Sequence, residues 1–220
     1  PVSATFEPRF GNRKLDKPVI VAGLGPAGLF AAYALAAFGY KPIVLERGKC
    51  AEERKADVRR FWTGGALDPE SNAMFGEGGA GAFSDGKLTT RIKDPLCDEV
   101  LRTLVRFGAP ADTAVEAKPH IGTDKLTGII SAIRMDIERL GGEVRFGTAL
   151  GGLVCADGRL IAVRAKTASG EETITCSACV LAVGQNADDT YRMLFAAGLE
   201  MTAKPYAVGV RIEHPRELID

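Results

Sequence analysis

Gly23, Gly25 and Gly28 stand at G-x-G-x-x-G spacing directly after the apolar run Val19-Ile20-Val21-Ala22, and an alanine-rich stretch follows them. Glycines so placed can hold a pyrophosphate. Gly23 permits a tight turn, Gly25 lets the backbone approach the phosphates, and Gly28 lets a helix pack close to the strand. The helix N-terminus then offers unpaired N–H groups and the positive end of a dipole, and Pro26 at its start removes no donor that the helix needs. Glu46 ends a second apolar run, Ile43-Val44-Leu45, 18 residues after Gly28. A carboxylate about 20 residues beyond the turn accepts hydrogen bonds from an adenosine ribose and disfavours a 2′-phosphate. The set points to dinucleotide binding. A tight turn between strand and helix, without ligand, is the plain alternative.

A second glycine cluster fills residues 76–88, GEGGAGAFSDGKL, where Gly76, Gly78 and Gly81 repeat the same spacing. Its context differs. Ser71-Asn72-Ala73-Met74-Phe75 is no β-branched strand, and Phe83-Ser84-Asp85-Gly86 cannot start a long helix. No regular helix or sheet element tolerates this density of glycine. The segment reads as a loop laying bare backbone against something flat or phosphorylated, with Ser84, Asp85 and Lys87 as polar handles; the alternative is a flexible surface loop. Cys176 and Cys179 form a C-x-x-C, but one that leads into a strand rather than a helix, so buried thiols are a better reading than a redox pair. No second such pair completes a zinc site, and no metal is expected. His120 and His214 could move protons, and Lys87 and Arg211 could meet an anion, but local roles suit all four as well. No catalytic residue is assigned.

The elements that must position these residues follow from periodicity. Residues 19–22 and 43–45 read as buried parallel strands around a helix over 29–38 that Gly39 ends, a βαβ unit. Residues 51–62 mix both signs of charge and read as a solvated helix. A helix from Val100 to Phe107 stops at Gly108, and a longer one follows Thr123 or Asp124 as N-cap, carrying Leu126, Ile129, Ile130, Ile133, Ile137 and Leu140 on one face. Residues 143–146 alternate as a strand. Three β-prone runs, broken at Asp157-Gly158 and Ser169-Gly170, give a small antiparallel meander. Residues 180–184 form another buried strand, 189–197 a short helix, and 207–212 a final strand.

Composition agrees with an ordinary folded chain. Its 220 residues hold 28 basic and 28 acidic side chains, leaving no net charge to attract nucleic acid or an anionic membrane. The longest apolar stretches fall well short of the ~20 residues that span a bilayer. With five scattered cysteines, the expectation is a cytoplasmic protein with reduced thiols. Glycine is the outlier, 26 residues against a usual share of about 7%. A start at Pro1 and a stop at Asp220 suggest a piece of something longer.

Residues 19–48, GEGGAGAFSDGKLTTR at 76–91, KPHIGT at 118–123, GGEVRF at 141–146, VLAVG at 180–184 and KPYAVGVRIEHP at 204–215 together resemble the FAD-dependent dehydrogenases of the glutathione-reductase-like superfamily. More narrowly, they resemble its bacterial, largely uncharacterised NAD(FAD)-utilizing dehydrogenase branch. The resemblance implies an α/β, Rossmann-like FAD/NAD(P)-binding domain over 18–187, with a helical insertion about 92–142, a lead-in over 1–17 and the start of a substrate domain over 188–220. By position, it places Gly23, Gly25, Pro26, Ala27 and Gly28 on the FAD pyrophosphate, Glu46 on the adenosine ribose with Arg47 beside it, and Leu150 at the adenine. Gly79, Ala80, Gly81, Ser84, Asp85, Gly86, Lys87 and Leu88 would run beside the pyrophosphate and flavin ring, and Gly184 would end the strand that meets FAD again. Members carry a further FAD-contacting glycine-aspartate segment near their C-terminus that is not in these residues, so the flavin pocket is expected to be incomplete. The implied activity is hydride transfer through flavin to or from a small-molecule substrate, with NADH or NADPH as candidate electron donor. An NAD-dependent dehydrogenase and a non-catalytic dinucleotide-binding module are the alternatives; oligomeric state is not indicated.

Overall fold

The computed structural model describes residues 11–12, 14–83, 88, 90, 92–115, 120–205, 208–210 and 212–219. Strands β1 (Val19–Ala22), β2 (Ile43–Leu45), β3 (Glu143–Arg145) and β7 (Ala178–Leu181) form a parallel sheet in the order β3-β2-β1-β7. In its register Ile20 sits between Ile43 and Cys179. Strands β4 (Ala149–Ala156), β5 (Arg159–Thr167) and β6 (Gly170–Thr175) form a separate antiparallel sheet, the meander expected from the turn signals.

Because successive side chains of a strand point to opposite faces, β1 builds both halves of the core. Val21 faces α1 (Pro26–Ala37) and α4 (Thr123–Arg139), joining Leu29, Ala32, Ile130, Ile133 and Ile137. Ile20 and Ala22 face the meander, joining Leu45, Leu150, Val163 and Ala165. The sheet is covered on both faces at β1 and β2, which is why these strands read as unbroken apolar runs, whereas the edge strand β3 alternates. Helix α1 ends in a Schellman motif: Gly39, at φ +83°, donates to the Ala36 carbonyl, and the Tyr40 N–H donates to that of Leu35.

Several elements depart from the sequence reading. Helix α2 (Ala51–Trp62) is present, yet it is not simply solvated: Arg54 and Asp57 are buried. The glycine-dense loop includes a 3₁₀ helix over Gly79–Phe83, since turns of this tighter kind are short enough to accommodate glycine. Helix α3 (Leu96–Arg106) starts earlier than its apolar face, where Asp94 accepts from the Leu96 N–H. Gly122 rather than Thr123 or Asp124 is the N-cap of α4, and its carbonyl accepts the first helical hydrogen bond. Helix α5 (Asp188–Ala196) forms as expected. The described residues within 207–212 make no strand: Val208, Val210 and Ile212 are exposed, with no neighbouring strand to pair with.

Candidate functional site

The carboxyl ends of β1, β2 and β7 open into one cleft of about 530 Å³, the position at which open parallel sheets bind ligands and a volume typical of small-molecule sites. Its floor is the turn from β1 into α1. Gly23 has φ +98°, and a Cβ there would lie 2.4 Å from the Ala182 carbonyl oxygen; one on Gly28 would lie 1.8 Å from the Gly23 oxygen. Both glycines are forced by packing. Gly25 is different: its φ is −69°, and the nearest atom to an added Cβ is the Gly79 Cα at 3.8 Å. Gly25, Pro26 and Ala27 line the cleft, whereas Gly28 lies beneath it. The first turn of α1 has no acidic residue, so its dipole and free N–H groups face the cleft uncompensated.

Glu46 and Arg47 form the next wall. The Glu46 carboxylate is buried and organises the backbone around it: Oε2 accepts from Leu24 N–H at 2.6 Å, and Oε1 accepts from Gly48 at 2.9 Å and Gly76 at 3.0 Å. A carboxylate offers about four acceptor positions, leaving about one for a ligand hydroxyl. Arg47 pairs with Asp189 and with Glu70 at 3.4 Å, and its guanidinium lies 4.7 Å from the centroid of the Phe75 ring. Burial pushes the Asp189 carboxyl up, but the hydrogen bonds from Arg47 and the Thr190 N–H outweigh it and hold it below its usual range.

The second glycine cluster reaches the same cleft and meets the first. Gly79 and Ala80 line it, and a Cβ on Gly79 would lie 3.2 Å from both Gly25 Cα and Pro26 Cδ. The segment nonetheless offers few donors. The N–H of Gly76 is bound to Glu46, that of Glu77 to the Lys49 carbonyl, that of Gly78 to Leu24 and that of Gly79 to Gly76. Its first residues therefore shape the cleft sterically rather than by ligating an anion. Gly81 and Leu88 do not line the cleft. Beside Leu104, Leu126 and Ile130 they line a second, apolar cavity of about 350 Å³, which shares Pro26 and Ala27 with the cleft. Ser84, Asp85, Gly86 and Lys87 lie outside the described residues.

Leu150 and Gly184 both line the cleft. The sequence reading did not single out Phe75, Gln185, Asn186 or Tyr191, which line it too; the Tyr191 hydroxyl donates to the Gly184 carbonyl at 3.0 Å. The carboxyl-edge rule could have marked Gln185 and Asn186, since they follow a buried parallel strand. His120 and His214 do not line the cleft. Arg211 lies outside the described residues. Cys176 and Cys179 are not poised for redox chemistry: burial raises both thiols, Cys179 to about 12. Among the described residues no cluster of side chains could hold a metal ion, and no helix is long and apolar enough to cross a membrane.

No protein-family model matches the chain. An uncharacterised protein of Clostridium beijerinckii is 51% identical over 210 residues, covering 96% of this chain; the chain spans 39% of that relative's length. Among solved structures, THI4 of Thermovibrio ammonificans superposes with a TM-score of 0.54 at 19% identity, over 84% of this chain and 64% of that one. The 3-ketosteroid-Δ4-(5α)-dehydrogenase of Rhodococcus jostii RHA1, solved with 4-androstene-3,17-dione, gives 0.52 at 19% identity, over 84% and 49%. The flavin-dependent monooxygenase PieE, solved with FAD and substrate, gives 0.51 at 18%, over 86% and 33%. With its parallel sheet, covering helices and antiparallel sheet, the chain has the Rossmann-type fold of FAD-binding proteins.

Proposed function

We propose that the chain is the FAD-binding part of a flavin-dependent oxidoreductase, of the glutathione-reductase-like kind that its motifs resemble. The carrying observation is the contact between two glycine motifs 54 residues apart: Gly79 packs on Gly25 and Pro26 at the mouth of one cleft. A nicotinamide-dependent Rossmann domain needs the first motif and has no use for the second. The residues present fit a dinucleotide, since Gly25 keeps its side of the cleft clear of side-chain atoms and the N-terminus of α1 carries no competing acid. The pyrophosphate would lie on Gly23, Gly25, Pro26 and Ala27, supported from beneath by Gly28. Glu46, Arg47 and Leu150 would hold the adenosine half, and Gly79, Ala80 and Gly184 would flank the remainder.

FAD, when bound, supplies hydride acceptance or donation at its ring. This chain's residues bind it, orient it and exclude water from it. Residues 18–187 would form the binding domain and 188–220 the first part of a substrate region that takes a small molecule. Purified longer protein, carrying the region its relative has in addition, should be yellow or take up FAD on reconstitution, with flavin absorbance in the visible. Bleaching by NADH or NADPH would identify a nicotinamide donor. A colourless preparation that takes up no FAD removes the proposal.

A further inference from the structure

Behind the second glycine motif lies a group of buried charges, two of which, Arg54 and Glu77, do not line the cleft. Arg54 of α2 is fully buried. Its Nε donates to the Asn72 carbonyl and its Nη1 to the Glu77 carbonyl, both at 2.7 Å, and its guanidinium stacks 4.6 Å from the centroid of Phe83. Glu77 is fully buried as well: Oε2 accepts from Ala51 N–H, the first residue of α2, at 2.7 Å, and Oε1 accepts from Arg134 Nε of α4 at 2.8 Å. Glu46 completes the group from β2 by holding the Gly76 N–H. The loop is thus gripped from three elements.

Such a group is costly. Burial lowers the Arg54 guanidinium to about 10 against the opposing pull of Glu46 and Glu77, and its Nη2 is buried with no hydrogen-bond partner among the described residues. Well-packed apolar side chains commonly stabilise a core as well as buried ion pairs do. What apolar side chains cannot do is fix a glycine-rich backbone in register. Gly76, Gly78 and Gly79 all have positive φ, a conformation that leaves glycine free to move unless something holds it. The Arg54 fork binds carbonyls on both sides of Gly76, whose missing Cβ is what admits the arginine: an added Cβ would lie 2.5 Å from Arg54 Cδ.

We infer that Arg54 and Glu77 are positioning residues, whose buried ion network presses Gly79 against Gly25 and so sets the geometry of the cleft at the pyrophosphate. The inference rests on the FAD reading above. Neither side chain lines the cleft, so neither is a ligand; each acts through the loop backbone. Losing the network should weaken a ligand that runs past Gly79 and spare one confined to the Glu46–Arg47–Leu150 end.

The test compares FAD and adenosine binding to wild type, Arg54→Met, Arg54→Lys and Glu77→Gln by calorimetric titration, alongside amide hydrogen exchange of the ligand-free proteins. The expected result is a loss of FAD affinity of roughly tenfold or more, the effect of one lost good contact, with adenosine affinity changed by less than about threefold. Lysine should not rescue, since one ammonium cannot serve both carbonyls in the fork geometry. Amides of Gly78 and Gly79 should lose protection while those of β1 and β2 keep theirs. Unchanged FAD affinity or unchanged loop protection in the variants overturns the inference, as does an equal fall in both ligands, which marks a general structural role. If Arg54→Met does not fold, Arg54→Lys and Glu77→Gln carry the comparison. A wild type that binds adenosine but not FAD sinks the functional reading instead, whatever the exchange data show.

Discussion

Gly25 and Gly28 belong to one motif but should fail in different ways when a methyl is added. In Gly28→Ala the new Cβ would lie 1.8 Å from the Gly23 oxygen, where real Cβ contacts stay beyond 3.0 Å, so turn and helix must separate by more than an ångström. The neighbouring wall cannot give way easily, because Gly23 is itself pressed against the Ala182 carbonyl. Overpacking of this kind costs about 3 kcal/mol, which for a chain of this size lowers Tm by roughly 6–12 °C. In Gly25→Ala the Cβ has 3.8 Å to its nearest neighbour and φ is already negative. The folded state then loses about 1 kcal/mol, the penalty for alanine at an N-cap. Binding bears the main effect, since the methyl stands where a phosphate would approach the backbone. Removing one charge-assisted hydrogen bond of about 1.5–3 kcal/mol means a loss of roughly ten- to hundredfold in FAD affinity. Gly25→Val, with two more methyls, should abolish binding while melting close to Gly25→Ala. Thermal melts and flavin titration measure both quantities. Wild-type flavin affinity in Gly25→Val would move the pyrophosphate elsewhere, and a wild-type Tm in Gly28→Ala would refute the packing account.

Glu46→Gln should destabilise the apo protein by about 3 kcal/mol, because either orientation of the amide turns a donor toward a backbone N–H that now has an acceptor; a Tm within 2 °C of wild type would contradict this. For Asp57, burial pushes the carboxyl up, but hydrogen bonds from Lys49 and Ser71 and the charges of Lys49 and Arg60 hold it below its usual 3.8. Its stabilisation is therefore present above pH 3.8 and lost as pH falls through the lower folded value, so Asp57→Asn should be less stable at pH 7 by about 1–2 kcal/mol, its charged partners being half-exposed. The gap should close in the acid range, and a gap independent of pH would refute the assignment. Iodoacetamide at pH 8 should label exposed Cys155 well before Cys176 and Cys179, whose thiols burial pushes up; equal rates by mass spectrometry would show the pair to be open.

The legible parts of this fold are those whose signals are local. Strand, turn, helix and strand over residues 19–45 each carry their own pattern, and the glycines and Glu46 that line or support the cleft sit at fixed offsets within it. Arg54 and Asp57 were not legible as buried, because what receives them comes from residues 71–77, far along the chain. A charged helix looks solvated until the loop that folds over it is known. The Arg47–Asp189 pair hides for the same reason, its members lying on β2's end and on α5. Val208, Val210 and Ile212 mislead in the opposite sense: alternating β-branched residues describe a strand's faces, but a strand also needs a neighbour's hydrogen bonds, and none pairs with them among the described residues. Gly81 and Leu88 share a motif with Gly79 and Ala80, yet they line the second cavity rather than the cleft, which motif spacing does not encode.

Two helix N-termini lie near the loop, and only one is available to an anion. At α2 the Ala51 N–H is taken by the Glu77 carboxylate, and Glu52 and Glu53 add negative charge to the first turn. That dipole is answered within the protein. At α1 the first turn holds Pro26, Ala27, Gly28 and Leu29, without acid and without a capping side chain. The N–H groups of Gly76, Glu77, Gly78 and Gly79, which a glycine-rich loop would ordinarily offer, are bound to protein acceptors. Among the described residues, with Arg47 already paired to Asp189 and Glu70, positive potential in the cleft therefore comes chiefly from one helix end, aimed past Gly25. Of what these residues offer a dinucleotide's charge, most lies at the pyrophosphate, so the affinity of the whole cofactor depends on how closely the backbone at Gly25 can be approached.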